Sequence, residues 1–268
     1  MRISKEEFID VLFHDCSVSR THPFAFWKLK ALAMHGETYY LPETGCYYGV
    51  YDGFLFRYIS KDGKCHLPAG ELNQFRCIAM TEEMFQSIQD KLEGFQITTR
   101  YKLHYDYDHP FPPAYHNFYV YVPFEFPCDS QFTLAAQFIN QGKGERLGLE
   151  NMKKMTYEPV FDSGLWLFVR RRPDKMIVGA GIATYDPELE ETDIEWLYVH
   201  PVLQHQGAGR YLLGEILRRS KYRSKDICVS EPHEFFKRCG FVEREATVYA
   251  SKEGYTLYAP FIQPDVLP

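Results

Sequence analysis

The sequence predicts an α+β protein built on a mixed sheet, and three observations carry that expectation. Short β-branched and aromatic runs with two-residue alternation recur along the chain, and helical apolar stripes stand between them. One stretch, Asp193 to Leu217, passes from a strand through a glycine loop straight into a helix. With 268 residues and 45% hydrophobic content the chain can bury one large core or two modest ones, and its length favours two domains. Seven cysteines, an odd number in no CxxC arrangement, point to neither a disulfide framework nor a zinc site and fit a cytoplasmic setting. A net charge of −6 with scattered Lys and Arg argues against a nucleic-acid surface. No apolar run approaches the ~20 residues that a membrane span needs.

The chain opens on MRISKEEFIDVLF, where Ser4 and Glu7 form a capping box ahead of an amphipathic helix, unlike a signal or transit peptide. Gly45 to Ile59 reads as a hairpin turning at Asp52-Gly53, and a strand follows near Phe75 to Met80. Thr81 then caps a helix with Phe85, Ile88 and Leu92 on one face, and Phe95 to Asp106 reads as another strand. The prolines of HPFPPAY, His109 to Tyr115, make an extended connection between an N-terminal α+β domain, 1–128, and a second domain, 129–268. His104, Asp106, Asp108, His109 and His116 could be drawn as a metal cluster. Alternate residues on one strand face do not close a site, so no metal is expected there or at His14, Asp15 and Cys16.

In the second half, Phe132 to Asn140 and Leu149 to Met155 read as helices, and Gly164 to Arg171 with Met176 to Tyr185 as a hairpin across Pro173-Asp174. The acidic run DPELEE, Asp186 to Glu191, is the turn before the strand that carries Ile194, Trp196 and Tyr198 alternating with Leu197 and Val199. Pro201 ends that strand. Gly207 and Gly209 then sit where the backbone approaches a ligand, and a helix follows with Tyr211, Leu212, Ile216 and Leu217 as its apolar stripe. A helix start leaves its first amides unpaired and partly positive, so the amides of Gln206, Gly207, Ala208, Gly209 and Arg210 suit a pyrophosphate. Leu212 stands where a dinucleotide fold would want a third glycine, and no Gly-Lys-Ser/Thr end is present, so neither of those phosphate loops applies.

The run LYVHPVLQHQGAG resembles motif A of the GNAT superfamily of N-acetyltransferases, Gln204, Gly207 and Gly209 filling its Q/R-x-x-G-x-G/A pattern. Phe235 to Phe241, FFKRCGF, resembles that superfamily's closing FYxKxGF segment, and the likeness spans Gln131 to Ile262. It implies a GNAT acyl-CoA N-acyltransferase fold in the C-terminal half, with Lys225 to Ser230 a strand splayed from Asp193 to Val199. Pro232 to Cys239 is then a helix, and Val242 to Ala250 with Tyr255 to Phe261 a closing pair. Acetyl-CoA enters between the splayed strands as co-substrate. Its pantetheine lies along Leu197, Tyr198 and Val199, and the Val199 amide is aimed at the thioester oxygen. Gln204 and His205 flank the phosphates, and Phe236 borders the cofactor.

A general base is required because the attacking amine is an ammonium at neutral pH. Strand alternation puts Asp193 and Glu195 on one face with Leu197 and Val199, and the superfamily often uses a Glu at one of these two places; Glu195 is favoured for reach, Asp193 next. Phe236 occupies the place of the usual Tyr acid, which leaves protonation of the thiolate to another tyrosine such as Tyr249, or to water. VSEPHE also lacks the superfamily's frequent Asn. The order of elements in the first half is similar to the middle of such a domain, a decayed second copy with Ala79-Met80-Thr81-Glu82-Glu83 in place of the phosphate loop. The activity implied is acetyl transfer to a primary amine of a small molecule, amino acid or peptide by direct attack. The alternative is an acyl-CoA-binding sensor or a catalytically weak GNAT module with a partner-binding N-terminal domain. DPELEE is a solvated turn or an attractor of cationic amines, and the acceptor, acyl length and oligomeric state stay open.

Overall fold

The computed structural model of the protein describes residues 1–19, 24–108, 110, 117–143, 148–230 and 234–255. These fall into two compact units, Met1–Lys102 with Glu243–Pro268, and Leu103–Val242.

The first unit opens on α1 (Lys5–Ser19) and α2 (Phe26–His35). The Ser4 hydroxyl caps α1 by accepting the Glu7 amide at 3.1 Å. Gly36 follows α2, its amide donating to the Leu32 carbonyl, and it must be glycine because a Cβ there would lie 2.4 Å from the Val50 carbonyl oxygen. Strands β1 (Glu37–Leu41), β2 (Cys46–Tyr51) and β3 (Phe54–Ile59) form an antiparallel meander. Asp52 and Gly53 turn β2 into β3 with φ of 44° and 71°, the paired left-handed conformation that matches strand twist. A connection holding α3 (Ala69–Leu72) leads to β4 (Cys77–Thr81), which is parallel to β3. Thr81 then caps α4 (Glu82–Ile88) by accepting the Met84 amide at 3.2 Å. The last strand, β11 (Phe241–Ser251), runs antiparallel to β4, so the order is β1-β2-β3-β4-β11. Leu72, Met84 and Ile88 pack on Leu55, Ile78 and Val248 on one face. Phe8 of α1 meets Phe56 of β3 on the other.

The second unit repeats this plan. Strand β6 (Tyr119–Pro123) is followed by α5 (Asp129–Lys143) and α6 (Leu149–Met155), then by the antiparallel β7 (Trp166–Arg171), β8 (Ile177–Asp186) and β9 (Glu191–Val199). Helix α7 (Ala208–Ser220) returns the chain to β10 (Asp226–Val229), parallel to β9, and α8 (Glu234–Lys237) follows. The strand antiparallel to β10 is β5 (Gln96–Tyr105), through Leu103 and His104. The order is β5-β10-β9-β8-β7-β6. Leu212, Leu213, Ile216 and Leu217 of α7 fill one face of the sheet, and Phe132, Ala136, Ile139 and Met152 of α5 and α6 fill the other. Each of these side chains other than Ala136 contributes about 1.5–3 kcal/mol on burial.

The correspondence is element by element. The isolated bridge of Arg2 to Tyr39 in the first unit stands where β6 pairs with β7 in the second. β1, β2, β3, α3, β4 and α4 then match β7, β8, β9, α7, β10 and α8. Each unit is completed by a strand segment from the other half of the sequence: the end of β5, Leu103 and His104, pairs with β10 in the second unit, and β11 from the second half pairs with β4 in the first. The compact units therefore differ from sequence blocks divided at 128/129, and β6, before that point, pairs with β7. The strand expected at Tyr255 to Phe261 lies beyond Tyr255 outside the described residues, as do most of HPFPPAY and the start of the Pro232 helix.

This matching also moves the site of the first half's lost phosphate loop. Because β3 is parallel to β4 as β9 is to β10, the counterpart of the glycine loop is the connection after Ile59, and not Ala79 to Glu83. Ala79 to Glu83 is the end of β4 and the start of α4, the counterpart of β10 and α8.

Candidate active site

β9 pairs with β8 along its whole length, from Glu191 opposite Asp186 to Val199 opposite Gly179. On its other edge it pairs with β10 only through Glu191, Thr192 and Asp193. Among the described residues the two parallel strands part after Asp193, leaving an edge of β9 that runs to Val199. This is the splay expected of Asp193 to Val199 and Lys225 to Ser230.

The chain leaves β9 through a 3-10 turn, Pro201–Leu203, and the Gln204 side-chain amide donates to the Val199 carbonyl at 3.0 Å, tying the loop to the strand end. His205 and Gly207 take positive φ, 61° and 87°, and Gly207 is the residue before α7. Tyr211 donates the first full helical bond, to the Gly207 carbonyl at 3.0 Å. Among the described residues the amides of Gln206, Gly207, Ala208 and Gly209 donate to no carbonyl. They form a nest at a helix start of the kind that holds phosphate oxygens. A Cβ on Gly209 would touch Phe235 at 3.4 Å, so this end of α7 is closely backed by α8.

The expectation that Asp193, Glu195, Leu197 and Val199 share one face does not hold. Ile182 and Ala183, consecutive on β8, stand opposite Trp196 and Ile194, so Glu195 is an extra residue in a β-bulge. The extra residue resets the alternation. Ile194, Leu197 and Val199 pack on the α7 side, Trp196 and Tyr198 on the side of α5, and Asp193 faces opposite to Ile194. The carboxylates are thereby separated from the apolar edge beyond the bulge. Asp193 is 3% exposed, whereas Glu195 is half-buried.

The first unit has the same bulge. Gly49 and Val50 stand opposite Arg57 and Leu55, which makes Phe56 the extra residue, and Phe54 faces Cys77 as Asp193 faces Cys228. Phe54 and Phe56 thus occupy the places of Asp193 and Glu195, and both are fully buried. The Phe56 ring lies on Gly49, where a Cβ would come within 2.3 Å of it, and meets Phe8 edge-on at 6.1 Å. Arg57 is held there by Asp15 of α1, its Nε donating at 2.8 Å.

Phe236 is buried among Phe235 and Phe241, at 5.2 and 5.5 Å between ring centres, and offers no proton. Tyr249 lies on β11 opposite Ala79 in the first unit, buried, with Phe24 at 6.3 Å. The acidic turn is committed locally: Asp186 Oδ1 accepts the Glu188 and Leu189 amides at 2.8 and 3.3 Å, and Glu190 pairs with Lys225. Burial pushes the Asp186 carboxyl above its usual range, against those two amide bonds. Among the described residues no three His, Cys, Asp or Glu side chains are grouped to hold a metal; His109 and His116 lie outside them, and His104 is bonded to Asp226. Among the described residues, too, no helix is long and apolar enough to cross a membrane.

One contact escapes the sequence altogether. His104 Nδ1 and Asp226 Oδ2 are 2.7 Å apart and buried, 122 residues apart in the chain. No local spacing signals it.

Residues 162–243 match the family profile of the acetyltransferase (GNAT) domain. No curated protein matches the sequence. A GNAT-family acetyltransferase from Colwellia psychrerythraea has a similar structure, with a TM-score of 0.63 at 13% identity over 94% of this chain and 99% of that one. A GCN5-related N-acetyltransferase from Sphaerobacter thermophilus gives 0.60 at 13% identity over 81% and 79%. A tandem GNAT protein from the clavulanic acid biosynthesis pathway gives 0.58 at 10% identity over 96% and 98%. At such identities the likeness is one of fold, and it extends over both halves of the chain.

Proposed function

We propose that the second unit, in which residues 162–243 match the profile of the acetyltransferase (GNAT) domain, transfers the acetyl group of acetyl-CoA to a primary amine of a small molecule, amino acid or peptide. The observation that carries this reading is the parting of β9 from β10 after Asp193, ahead of a turn in which, among the described residues, the Gln206, Gly207, Ala208 and Gly209 amides donate to no carbonyl. The amides of Gln206 to Arg210 receive the pyrophosphate, with Gln204 and His205 beside it. The pantetheine adds along Leu197, Tyr198 and Val199 as an extra short strand, with Phe236 bordering it. The Val199 amide then stabilises the developing oxyanion, an effect of about 10²–10³ in rate for a well-placed donor.

Glu195 takes the proton of the ammonium, directly or through water, and the free amine attacks the thioester carbon. The C–S bond breaks, the nitrogen of the adduct gives its second proton to water, and water passes a proton to the departing thiolate. With Phe236 in the place of the usual acid, this last step leans on the modest basicity of a thiolate of pKa near ~8.5. Of the two carboxylates Glu195 is the better base. Asp193 is enclosed, whereas Glu195 is half-buried and stands at the bulge, and the counterpart Phe56 turns to the α1 side. Among the described residues no cysteine is joined in a disulfide, which fits a cytoplasmic enzyme.

The test is thiol release from acetyl-CoA with a panel of amines, run beside acetyl-CoA binding by calorimetry. Release that depends on one amine class is the expected result and also identifies the acceptor. Binding without turnover on any amine would show a sensor, the reading that the buried Phe236 favours. Absence of binding would show that the loop does not hold a nucleotide.

A further inference from the structure

The sheet of the second unit carries a buried polar row that the mechanism above does not use. In register, Thr184 of β8 faces Asp193, Asp193 faces Cys228 of β10, and Cys228 faces His104 of β5. One step along, Asp226 faces Glu191, which faces Asp186. Directly opposed residues point to the same side and stand within about 5.5 Å at their Cβ atoms. Cys228 Sγ donates to Glu191 Oε1 at 3.5 Å, and His104 Nδ1 is 2.7 Å from Asp226 Oδ2. His104, Asp226, Glu191 and Asp193 are all at least 95% buried. Carboxylates so close and so dry hold their places only through such partners.

The first unit supplies the control. Its equivalent row is Tyr51, Phe54, Cys77 and Ser251, by the same registers. The cysteine is kept, while the histidine and the carboxylate are absent together. A histidine needed only to close the sheet would have no reason to accompany the carboxylate.

Resting on the acetyl-transfer reading, we propose that His104, brought into the second unit on a strand from the first half, is a positioning residue for the reaction. Through Asp226 it fixes the polar row that ends at Asp193, and so the entry of β9 into the bulge that presents Glu195. The first half is then retained as the donor of β5, its own site having been filled with phenylalanine.

The test compares His104→Leu, His104→Asn and Asp226→Asn in the full chain, with kcat expressed per acetyl-CoA site titrated by calorimetry. His104→Leu leaves Asp226 buried without its imidazole and should lower kcat about 10- to 100-fold, with KM for acetyl-CoA unchanged because the loop before α7 is untouched. His104→Asn places an amide near the imidazole Nδ1 and should restore kcat to within about threefold. Should His104→Leu fail to fold, Asp226→Asn keeps the shape of the pair and should still lower kcat at constant KM. An unchanged kcat per site in both His104→Leu and Asp226→Asn, or a loss in His104→Leu that Asn does not rescue, overturns the positioning role. A wild-type protein that turns over no amine overturns the acetyl-transfer reading itself, and this inference with it.

Discussion

Two connections in this chain join parallel strands that share a register and a bulge, and they reach the second strand by different routes. In the second unit the path from β9 to β10 passes a positive-φ glycine and enters a 13-residue helix, and among the described residues the Ala208 and Gly209 amides at its start donate to no carbonyl. In the first unit the path from β3 to β4 has only the four-residue α3, and its loop binds a carboxylate of its own. Asp62 accepts the Lys64 amide at 3.1 Å and the Ser60 hydroxyl at 2.8 Å, and faces His66 Nε2 at 3.0 Å. The His66, Ser60 and Lys64 bonds, in that order of size, hold its carboxyl well below the usual range. Where the second unit has backbone amides that donate to no carbonyl among the described residues, the first has a carboxylate held by its own loop. The same substitution of function runs through the strands, where Phe54 and Phe56 replace Asp193 and Glu195. One plan thus carries carboxylates at the bulge in one unit and a buried aromatic core in the other, decided by which side chains fill the bulge and the turn.

The sharpest way to break this comparison is at the bulge. Glu195→Gln removes the base without altering volume and should lower kcat by about 10²–10⁴ with the acetyl-CoA affinity kept. A kcat within twofold of wild type would pass the role to Asp193, and Asp193→Asn would then carry the loss. The counterpart change, Phe56→Ala, should do the reverse. It empties a fully buried ring site and should cost about 3–5 kcal/mol of unfolding free energy in urea, while turnover per acetyl-CoA site stays intact. If Phe56→Ala abolished turnover in folded protein, the first unit would have a catalytic role and the division of labour would fail.

Much of this was legible in the sequence, and the unreadable part has definite causes. The QxxGAG loop, the Asp52-Gly53 turn and the Ser4 and Thr81 caps announce themselves because each depends on residues within a few positions of one another. Helix α2 and strands β1 and β6 have local signals too, such as Gly36 after α2, yet went unanticipated. The bulge is different. Asp193, Glu195, Leu197 and Val199 alternate without a flaw in sequence, and the extra residue becomes visible only against Ile182 and Ala183 on the neighbouring strand. The crossing of β5 and β11 is likewise invisible, because a strand's alternation says which face is apolar and not which sheet it joins. With that crossing goes the pairing of His104 with Asp226, and the correct place of the first half's missing loop.

The finest discrimination between the two connections comes from a pair of glycines near the starts of equivalent helices. Gly209 of α7 and Gly70 of α3 both have room for a side chain: a Cβ meets Phe235 at 3.4 Å in the first case and nothing within 4 Å in the second. Aspartate in the first turn of α7 also interacts favourably with the helix dipole, by about 0.3–1 kcal/mol, so Gly209→Asp should not unfold the protein. It should nevertheless weaken acetyl-CoA binding at least about 100-fold, since it sets a carboxylate among the amides that would hold the pyrophosphate. Gly70→Asp should leave both affinity and the stoichiometry of one acetyl-CoA per chain unchanged. Calorimetry on the two variants decides between a single site and a pair: a fall in stoichiometry with Gly70→Asp would show that the first connection still binds nucleotide, and that the anion Asp62 supplies has not closed it.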